Sequence, residues 1–524
     1  MGVFMSSIET LQRGLPGALF NPHSQFETGF MPALEDYSSI LDTFHKTVGS
    51  DGRVRVSTDV TLEDYAGITS PADMERLLRL ADSLKGKRIS WVNATAEGGG
   101  VAIMRTPQMA LLEKLGIDAR WYVTPPDKKA FEVTKKWHNI FQGVAGHDVR
   151  ITERDLDLYQ DWTGRIAGVL VDPLASSDVV VIDDPQPSGL IPYILNANPA
   201  VKLIFRDHIQ SQGQLMSQEG TPQHALWQYL WQRNQINRAD CFVFHPVEGF
   251  VPGNVPAEKT VFMPPATDLL DDLNRSLTSS EMAVGIRYFN EKLLAAGQSP
   301  LDPDRKWITQ IARFDPAKGI DLVLESYSLL RRNLKAAGVA DMDTPQLIIT
   351  GNGSIDDPDG APMLAETLKL REEKYPHLKD DIKVARVPHY PVALNAVLRN
   401  SWVAEQLSTA EGFEYKVTEA IVMGIPVIGS RVGGIPLQIV DGVSGYTVNS
   451  GDTRAVASHL ERMLLDGFTY EDMKKQIPAI ARKKNYEYTT VPNIINWLHL
   501  CDNLLKNEQF YGNRRHVREM AIKT

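Results

Sequence analysis

Apolar runs of strand length alternate with helix-like segments twice along the chain. From residue 87, the stretch KRISWVNATAEGGGVAIMRTPQMALLEKLGIDARWYVT predicts a strand, a glycine-rich turn, an amphipathic helix and a second strand. The apolar runs in DVVVIDDPQPSGLIPYIL and VKLIFRDHIQ each end in polar residues. A second series starts at WITQIARFDPAKGIDLVLESYSLLRR and continues through PQLIITGNGSIDDPDG and IKVARV. This alternation predicts two α/β domains, each built on a parallel sheet.

The same pattern divides the chain into five segments. Weak signals at the start, including the possible strands of VRVSTDVTLEDYAG, predict an extension that packs on the first domain. A polar stretch with several prolines predicts a connection between the two domains, and a helical tail is predicted to close the chain. The predicted segments are an extension at 1–86, a first domain at 87–270, a connection at 271–304, a second domain at 305–490 and a tail at 491–524.

Size, charge and cysteine content narrow the class of protein. A chain of 524 residues is too long for a single core, so several domains are expected. The net charge of -10 argues against nucleic acid or an anionic membrane as the main partner. The only cysteines, Cys241 and Cys501, have no spacing typical of a disulfide framework or a zinc site. The N-terminal stretch lacks the pattern of a secretion signal, so we expect a cytoplasmic protein that does not span a membrane.

Three consecutive glycines follow the first strand of the first domain. Gly98, Gly99 and Gly100 stand at a strand-to-helix turn, where they let the backbone approach a ligand and leave amide N–H groups facing an anion. The motif differs from GxGxxG, and no acid stands at the position expected to hold a ribose, which argues against a nicotinamide dinucleotide. A tight turn without a ligand would not need three glycines.

Charged and imidazole side chains follow two further strands. His208 comes just after VKLIF, with Arg206 beside it, and the turn ARFDPAKG carries Arg313 and Lys318. A lone histidine is more often structural and a lone cation more often part of a surface ion pair. Ligands of doubly wound sheets bind at the carboxyl ends of strands, however, and two cations on one such turn favour phosphate.

The stretch AEGFEYKVTEAIVMGIPVIGSRVGG, residues 410–434, predicts a strand end, a tight turn, a helix and a glycine-bounded strand. Glu411 falls on the turn, Gly412 allows a close backbone approach, and Glu419 is expected about two turns along the helix. Carboxylates can hold sugar hydroxyls and a helix N-terminus favours an anion. The combination predicts a site for a sugar phosphate or a sugar nucleotide, although each glutamate alone fits an ordinary helix acid.

These motifs together resemble the retaining glycosyltransferases of family four, and within them the trehalose phosphorylase and trehalose synthase group. The resemblance covers about residues 87–490 and rests on WVNATAEGGGVAIMR, KKWHNIFQGVAG, IDDPQPSGLIP, QIARFDPAKGI, GNGSIDDPDG and QLSTAEGFEYKVTEAI. It implies an α/β fold of two facing Rossmann-like domains, the GT-B type, with a deep cleft between an acceptor-side and a phosphate-side domain. It also implies retaining glucosyl transfer without a metal or a cofactor.

The resemblance implies a role for each candidate residue. Arg313 and Lys318 would stabilise the phosphate, Glu411 would hold hydroxyls of the transferred glucosyl unit, and His208 would contact that sugar or the acceptor. Glu419 would hold a ribose in a nucleotide-using relative and would otherwise orient Lys416 or its helix. The catalytic candidates are thus His208, Arg313, Lys318 and Glu411. The candidates for phosphate or sugar binding are Gly98, Gly99, Gly100, Arg206, Gly412, Phe413, Lys416 and Glu419.

Three functions stay open at this point. Phosphorolysis would convert α,α-trehalose and inorganic phosphate to α-glucose 1-phosphate and glucose, whereas a synthase would transfer glucose from a nucleoside-diphosphate glucose to glucose. Glu414, Tyr415 and Lys416 after EGF resemble the phosphorylases, which favours phosphorolysis. A sugar-phosphate-sensing or scaffold protein would bind without turnover. The sequence leaves the oligomeric state open, including a homodimer.

Overall fold

The computed structural model describes residues 42–97, 99–146, 149–352, 360–387, 390–506 and 510–523. Fifteen strands occur within these ranges, and they are numbered in chain order. They are β1 His45–Val48, β2 Arg53–Ser57, β3 Arg88–Asn93, β4 Asp118–Val123, β5 Val179–Asp183, β6 Lys202–Arg206, β7 Cys241–Phe244, β8 Thr260–Phe262, β9 Trp307–Ile311, β10 Gln346–Gly351, β11 Ile382–Arg386, β12 Val403–Gln406, β13 Val427–Ser430, β14 Gly445–Val448 and β15 Arg515–His516.

The α-helices of the described residues cover both faces of the sheets. They are α1 Leu62–Gly67, α2 Pro71–Ser83, α3 Gly100–Lys114, α4 Lys128–Gln142, α5 Glu153–Ala175, α6 Ile191–Ala197, α7 Gly213–Ser217, α8 Pro222–Gln232, α9 Ser279–Ala295, α10 Ile320–Ala336, α11 Gly360–Lys374, α12 Pro391–Arg399, α13 Lys416–Val422, α14 Ile435–Gln438, α15 Thr453–Leu465, α16 Gly467–Lys483, α17 Thr490–Lys506 and α18 Val517–Lys523. None of these helices has the length and apolarity needed to cross a membrane.

The first sheet joins strands from both ends of the chain. Among the described residues its order is β1-β2-β4-β3-β5-β6-β7-β8-β15. The edge pairs β1 with β2 and β2 with β4 are antiparallel, and the remaining neighbours are parallel. The direction in which strands are added reverses between β3 and β5. In open α/β sheets, ligands bind in the crevice at such a reversal.

The second sheet is parallel throughout its described strands, in the order β11-β10-β9-β12-β13-β14. This is the doubly wound order of Rossmann-like domains, and its reversal lies between the neighbours β9 and β12. The turns ARFDPAKG and AEGFEYK follow these two strands, so the topology brings them together. The predicted fold class of two Rossmann-like α/β domains is confirmed.

Continuous apolar strands result from helices on both faces of each sheet. In β5, Val179 and Val181 belong to one core of the first domain, whereas Val180 and Ile182 belong to the core on the opposite face. Every residue of β5 and of β10 is buried. Because both faces are covered, the polar ends of the strands are the positions at which side chains can meet a ligand.

Local capping overrides one predicted strand. Residues 62–67, which belong to a predicted strand region, form α1 after β2 instead. The Thr61 side chain caps the backbone N–H of Asp64, and the Asp64 carboxylate accepts from the backbone N–H of Thr61. This capping box satisfies donors at the start of the helix, which favours a helix over a strand.

Two predicted segments outside the α/β domains pack into their cores. Helix α9, in the predicted connection, places Phe289 and Leu293 in the core of the second domain. Helix α17, in the predicted tail, places Trp497 edge-on against Trp91 of β3, with ring centroids 5.9 Å apart. The five-segment division stays a prediction, because packing alone does not fix domain boundaries.

The chain crosses between the two α/β domains at two adjoining places. The first crossing follows β8 and the second precedes α17. Thr267 in the first crossing forms a parallel bridge with Thr489 in the second, and its backbone N–H donates to the Tyr488 carbonyl at 3.0 Å. The two crossings therefore run side by side and form a shared connection.

Candidate active site

A cleft of about 200 Å³ lies where the carboxyl ends of the two sheets face each other. The first domain lines it with the turn after β3, the residues that end β5, the loops after β6 and β7, and one side of α4. The second domain lines it with the turns after β9 and β12. The site is thus formed at the chain reversal of both sheets, as the doubly wound topology requires.

The structure brings most of the candidate residues into this cleft. Of the described candidates, those that line it are Gly99, Gly100, His208, Arg313, Lys318, Glu411, Gly412 and Phe413. Three other described candidates, Arg206, Lys416 and Glu419, lie behind the lining. Gly98 lies outside the described residues, so its predicted role has no structural counterpart here.

Lys318 lies between two carboxylates of the turn after β12. Its ammonium group contacts the side chains of both Glu411 and Glu414. Burial disfavours the charge of Lys318, but the two carboxylates raise its pKa above the usual value. Burial raises the pKa of Glu411; burial also opposes ionisation of Glu414, but Lys318 outweighs it and lowers the pKa of Glu414. The three groups form one buried charged cluster with an excess of acid.

A second charged group spans the two domains. Lys135 of α4 donates from Nζ to Oδ2 of Asp315 at 2.9 Å, and Nη2 of Arg313 lies 3.8 Å from the same oxygen. Burial opposes ionisation of Asp315, but the two cations lower its pKa. Burial and the charge of Lys135 lower the pKa of neighbouring His138 to about 3. The Oδ2 atom of Asp315 therefore interacts with one cation from each domain, Lys135 and Arg313.

Two aspartates at the end of β5 orient His208, and burial keeps its ring neutral. Its Nε2 lies 3.0 Å from Oδ1 of Asp183, the last residue of β5, and its backbone N–H donates to Asp184 Oδ1 at 2.6 Å. Burial lowers the pKa of His208 to about 4, although Asp183 acts in the opposite direction. Asp184 has a left-handed backbone with φ of 72°, a strained conformation for a residue other than glycine.

Arg206 supports a second histidine and does not reach the cleft. Its guanidinium is buried and donates to the Met263 carbonyl at 2.5 Å, and its Nη2 lies 3.2 Å from Nδ1 of His245. Because an arginine can only donate, Nδ1 of His245 accepts, and its Nε2–H donates to the His208 carbonyl at 3.1 Å. The predicted contact of Arg206 with phosphate or sugar has no geometric basis, because its donors point to the protein.

The turn after β12 packs directly on these histidines. A Cβ at Gly412 would lie 2.4 Å from the His208 carbonyl oxygen, so a glycine is required for this approach. The ring of Phe413 stacks on His245 with centroids 5.8 Å apart. The backbone N–H of Gly412 donates to Glu411 Oε1 at 3.0 Å, and the backbone N–H of Glu411 contacts the side-chain oxygen of Gln210. The two domains are in contact here.

Glu419 is placed differently from its prediction. Helix α13 begins at Lys416, so Glu419 lies in its first turn rather than two turns along. Its carboxylate is fully buried, accepts from Thr267 Oγ1 at 2.7 Å, and forms an ion pair with Lys416 at 2.5 Å. Glu419 therefore pairs with Lys416, and its carboxylate does not line the cleft.

The glycine-rich turn leads directly into α3. Gly99 is the N-cap of this helix and Gly100 its first residue. A Cβ at Gly100 would lie 2.5 Å from the hydroxyl of Tyr415, which comes from the second domain. The last of the glycines thus permits a close contact between domains, and the start of α3 lies at the cleft.

Several lining residues were missed at the level of sequence. Asp183 ends β5 and Asp184 follows it, so the rule that ligands bind at carboxyl ends of strands would have indicated them. Lys135 lies on α4, and its approach to Asp315 depends on how the domains face each other. His245 follows β7, where the same carboxyl-end rule applies, and no sequence motif marks it.

Comparisons with known proteins agree with this architecture. Residues 91–252 match the family model "Trehalose synthase, N-terminal domain", and residues 294–480 match "Glycosyl transferases group 1". A solved trehalose-phosphate synthase from Burkholderia xenovorans aligns with a TM-score of 0.60 over 79% of this chain and 100% of its own, at 14% identity. A sucrose-phosphate synthase from Thermosynechococcus elongatus aligns with a TM-score of 0.57 over 80% of this chain and 99% of its own, at 15% identity. These structural likenesses establish the GT-B fold.

Sequence relatives define the group more narrowly. The chain is 39% identical to a trehalose phosphorylase of Pleurotus pulmonarius over 90% of this chain, and it spans 65% of that relative's length. It is 34% identical to a trehalose synthase of Pyrococcus horikoshii over 81% of this chain and 91% of that relative. The chain therefore belongs to the trehalose phosphorylase and trehalose synthase group of the family four retaining glycosyltransferases.

Proposed function

We propose that this protein catalyses the reversible phosphorolysis of α,α-trehalose to α-glucose 1-phosphate and glucose. The observation that carries the proposal is that Arg313 and Lys318 line the same cleft as Glu411 and His208. Cations suited to phosphate thus lie beside an acid and an imidazole suited to sugar hydroxyls. The relatives named trehalose phosphorylase, which match 87% to 90% of this chain, support the same assignment.

The surroundings of α13 favour phosphate over a nucleotide. The Glu419 carboxylate, the group expected to hold a ribose, is buried and already bound by Lys416 and Thr267. Tyr415 fills space beside Gly100 between the two domains. A bare phosphate needs neither a ribose acceptor nor room for a base.

The proposed chemistry follows from the placement of the lining residues. One phosphate oxygen bonds to C1 of a glucosyl unit on the face from which the glycosidic oxygen leaves, and the phosphate proton passes to that oxygen. Arg313 and Lys318 stabilise the phosphate oxygens, Glu411 accepts from hydroxyls of the transferred glucosyl unit, and His208 contacts a sugar. Contact between the domains would exclude water, which matters because hydrolysis is the competing reaction.

Donor dependence tests the proposal directly. Glucose release from trehalose is measured with inorganic phosphate, with UDP, with ADP and with no addition. We expect glucose to be released only when phosphate is added, with one molecule of α-glucose 1-phosphate formed for each glucose. Arg313→Ala should lower this turnover on the order of 10²-fold, as removal of an oxyanion donor does. Release that requires a nucleoside diphosphate would contradict the proposal.

A trehalose synthase is the second candidate, and relatives with that name favour it. Those from Pyrococcus and Thermococcus match 74% to 81% of this chain at 34% to 35% identity. Trehalose formation from glucose and a nucleoside-diphosphate glucose, without formation from α-glucose 1-phosphate, would select this alternative. Binding of glucose 1-phosphate without turnover of any donor would indicate a non-catalytic sensor. The cytoplasmic location and the homodimer stay predictions.

A further inference from the structure

A chain of buried hydrogen bonds runs behind the cleft from His208 to helix α17. Asp183 approaches His208 Nε2 with Oδ1 at 3.0 Å and accepts with Oδ2 from Nη2 of Arg105 at 2.5 Å. Nη1 of Arg105 donates to Gln108 Oε1 at 2.6 Å, and Gln108 Nε2 donates to Asn493 Oδ1 at 2.8 Å. Both Arg105 and Gln108 belong to α3, so the chain of bonds passes through one helix.

Arg105 is fixed more firmly than an ordinary ion-pair partner. Its side chain has no exposed surface, and its guanidinium lies 5.1 Å from the Trp91 ring and 5.6 Å from the Trp497 ring. A buried cation is costly unless it is paired, and Asp183 supplies the pairing charge. Arg105 is absent from the cleft lining, so it can act on a ligand only through another side chain.

The cation of Arg105 determines what Asp183 can offer to His208. Burial opposes ionisation of Asp183, but Arg105 and His208 together outweigh this effect, and the pKa of Asp183 falls to about 2. An ionised carboxylate only accepts hydrogen bonds, so Nε2 of His208 must carry the hydrogen. In the neutral ring, Nδ1 is then left as an acceptor.

The far end of the network is attached to both interdomain crossings. Asn493 lies near the start of α17, directly after the second crossing, and its Nδ2 donates to the carbonyl of Pro264 at 2.8 Å. Pro264 lies where the chain leaves β8 for the first crossing. Asn493 therefore joins the two crossings to α3.

We infer that Arg105 is a positioning residue for the proposed glucosyl transfer. Through Asp183 it holds His208 in one orientation and one tautomer, while Gln108 and Asn493 fix Arg105 to the interdomain crossings. The inference rests on the proposed function to the extent that His208 contacts a sugar. It extends that function to side chains that no ligand in the cleft can touch.

Other charged groups surround the Asp183 carboxylate and the His208 ring, and the variants of the test do not change them. The titratable and charged groups next to Asp183 and His208 include Arg105, Arg206, Asp184, Asp207 and His245 behind the cleft, and Glu411 on the turn that lines the cleft with them. Replacement of Arg105 removes one cation from this set. Asp183 then binds a proton more readily, and the loss of a repelling charge lets His208 protonate more readily as well.

The test compares Arg105→Met with Arg105→Lys and with Arg331→Met. Arg331 is a buried arginine on α10 that pairs with Asp381 far from the cleft, so its replacement controls for loss of a buried ion pair. The profile of kcat/KM against pH is recorded for trehalose and phosphate. In parallel, NMR of protein with ¹⁵N-labelled histidine follows the His208 ring, identified among the 12 histidines by loss of its signal in His208→Gln.

For Arg105→Met we expect the acid limb of the pH profile to move upward by about one pH unit or more and kcat to fall at least tenfold. KM for phosphate should change less than threefold, because Arg313 and Lys318 are intact. Arg105→Lys should restore the acid limb, and Arg331→Met should leave it unchanged. If Arg105→Met does not fold, Gln108→Leu replaces it in the test. This variant removes the hydrogen bond to Asn493 and should move the acid limb in the same direction by a smaller amount.

The outcomes separate this inference from the proposed function. A wild-type protein without phosphate-dependent cleavage would contradict the proposed function, while the NMR measurement would still test whether Arg105 acts on His208 through Asp183. An Arg105→Met or Gln108→Leu protein in which the His208 tautomer and its titration match the wild type would overturn the inference. An unchanged acid limb in an active enzyme would overturn it as well.

Discussion

Replacement of Gly412 by alanine tests whether the domains must meet at the turn after β12. Gly412 has an ordinary backbone conformation for any residue, so alanine introduces no backbone strain. Its Cβ would lie 2.4 Å from the His208 carbonyl oxygen and 3.2 Å from Nε2 of His245. The nearer contact is a backbone atom that cannot rotate away. The change therefore acts on the distance between the domains and on little else.

The size of the effect follows from this overlap. Ordinary contact begins at 3.4 Å, so the turn and the His208 backbone must separate by about 1 Å. A displacement of about 1 Å between a reacting group and its partners can cost about 10²-fold in rate. We therefore expect kcat/KM to fall about 10²-fold, which corresponds to about 2.7 kcal/mol.

The assay is phosphate-dependent release of glucose from trehalose, with the melting temperature measured on the same samples. Because the domains can separate slightly at the cleft, Gly412→Ala should melt within about 2 °C of the wild type. Gly467→Ala is the matched control, since its Cβ would meet nothing within 4 Å and it opens a helix of the same domain. A Gly412→Ala protein that keeps more than a third of wild-type activity would refute the reasoning.

Three further predictions concern buried charges. Lys318→Ala leaves Glu411 without its cation and removes a proposed phosphate contact, so turnover with phosphate should fall on the order of 10²-fold. Activity within about tenfold of the wild type would argue against a role of Lys318 in stabilising the phosphate. Burial raises the pKa of Glu405 to about 8, above the ordinary 4.5, so the wild type should lose stability as the pH rises from 5 to 8. Melting curves at both pH values should show a smaller loss of stability for Glu405→Gln. Equal losses in the two proteins would contradict the burial argument. Lys416→Met leaves Glu419 buried without its cation and should lower the free energy of unfolding by denaturant by about 3 kcal/mol. The double variant with Glu419→Gln should recover most of this loss. No recovery would show that the broken ion pair is not the cause.

The position of the candidate site was accessible from the sequence because it follows from strand order. Arg313, Lys318 and Glu411 each stand just after a predicted parallel strand, and the carboxyl ends of such strands meet at one edge of a sheet. His208 obeys the same rule in the first domain. The fold could be predicted for a related reason, since apolar runs that alternate with amphipathic helices leave few arrangements other than a doubly wound sheet.

Two predictions failed because burial depends on neighbours that the local sequence does not show. Arg206 ends a strand in the same way as the residues that line the cleft, yet its side chain turns toward the Met263 carbonyl and His245. Glu419 was expected farther along a helix that starts earlier, but five residues of loop after Ala410 delay its start to Lys416. In both cases, residue type and spacing left the side-chain direction undetermined.

The sequence by itself determined the order of strands and helices and the chemical types of residue at the strand ends. Only the tertiary structure decided which polar and charged side chains pair, since Lys318 meets Glu411 across 93 positions, Thr267 meets Glu419 across 152 and Lys135 meets Asp315 across 180. Local patterns arise from backbone geometry and burial of one face, which a short window records. Electrostatic partners are set by how two domains face each other, and no short window contains that information.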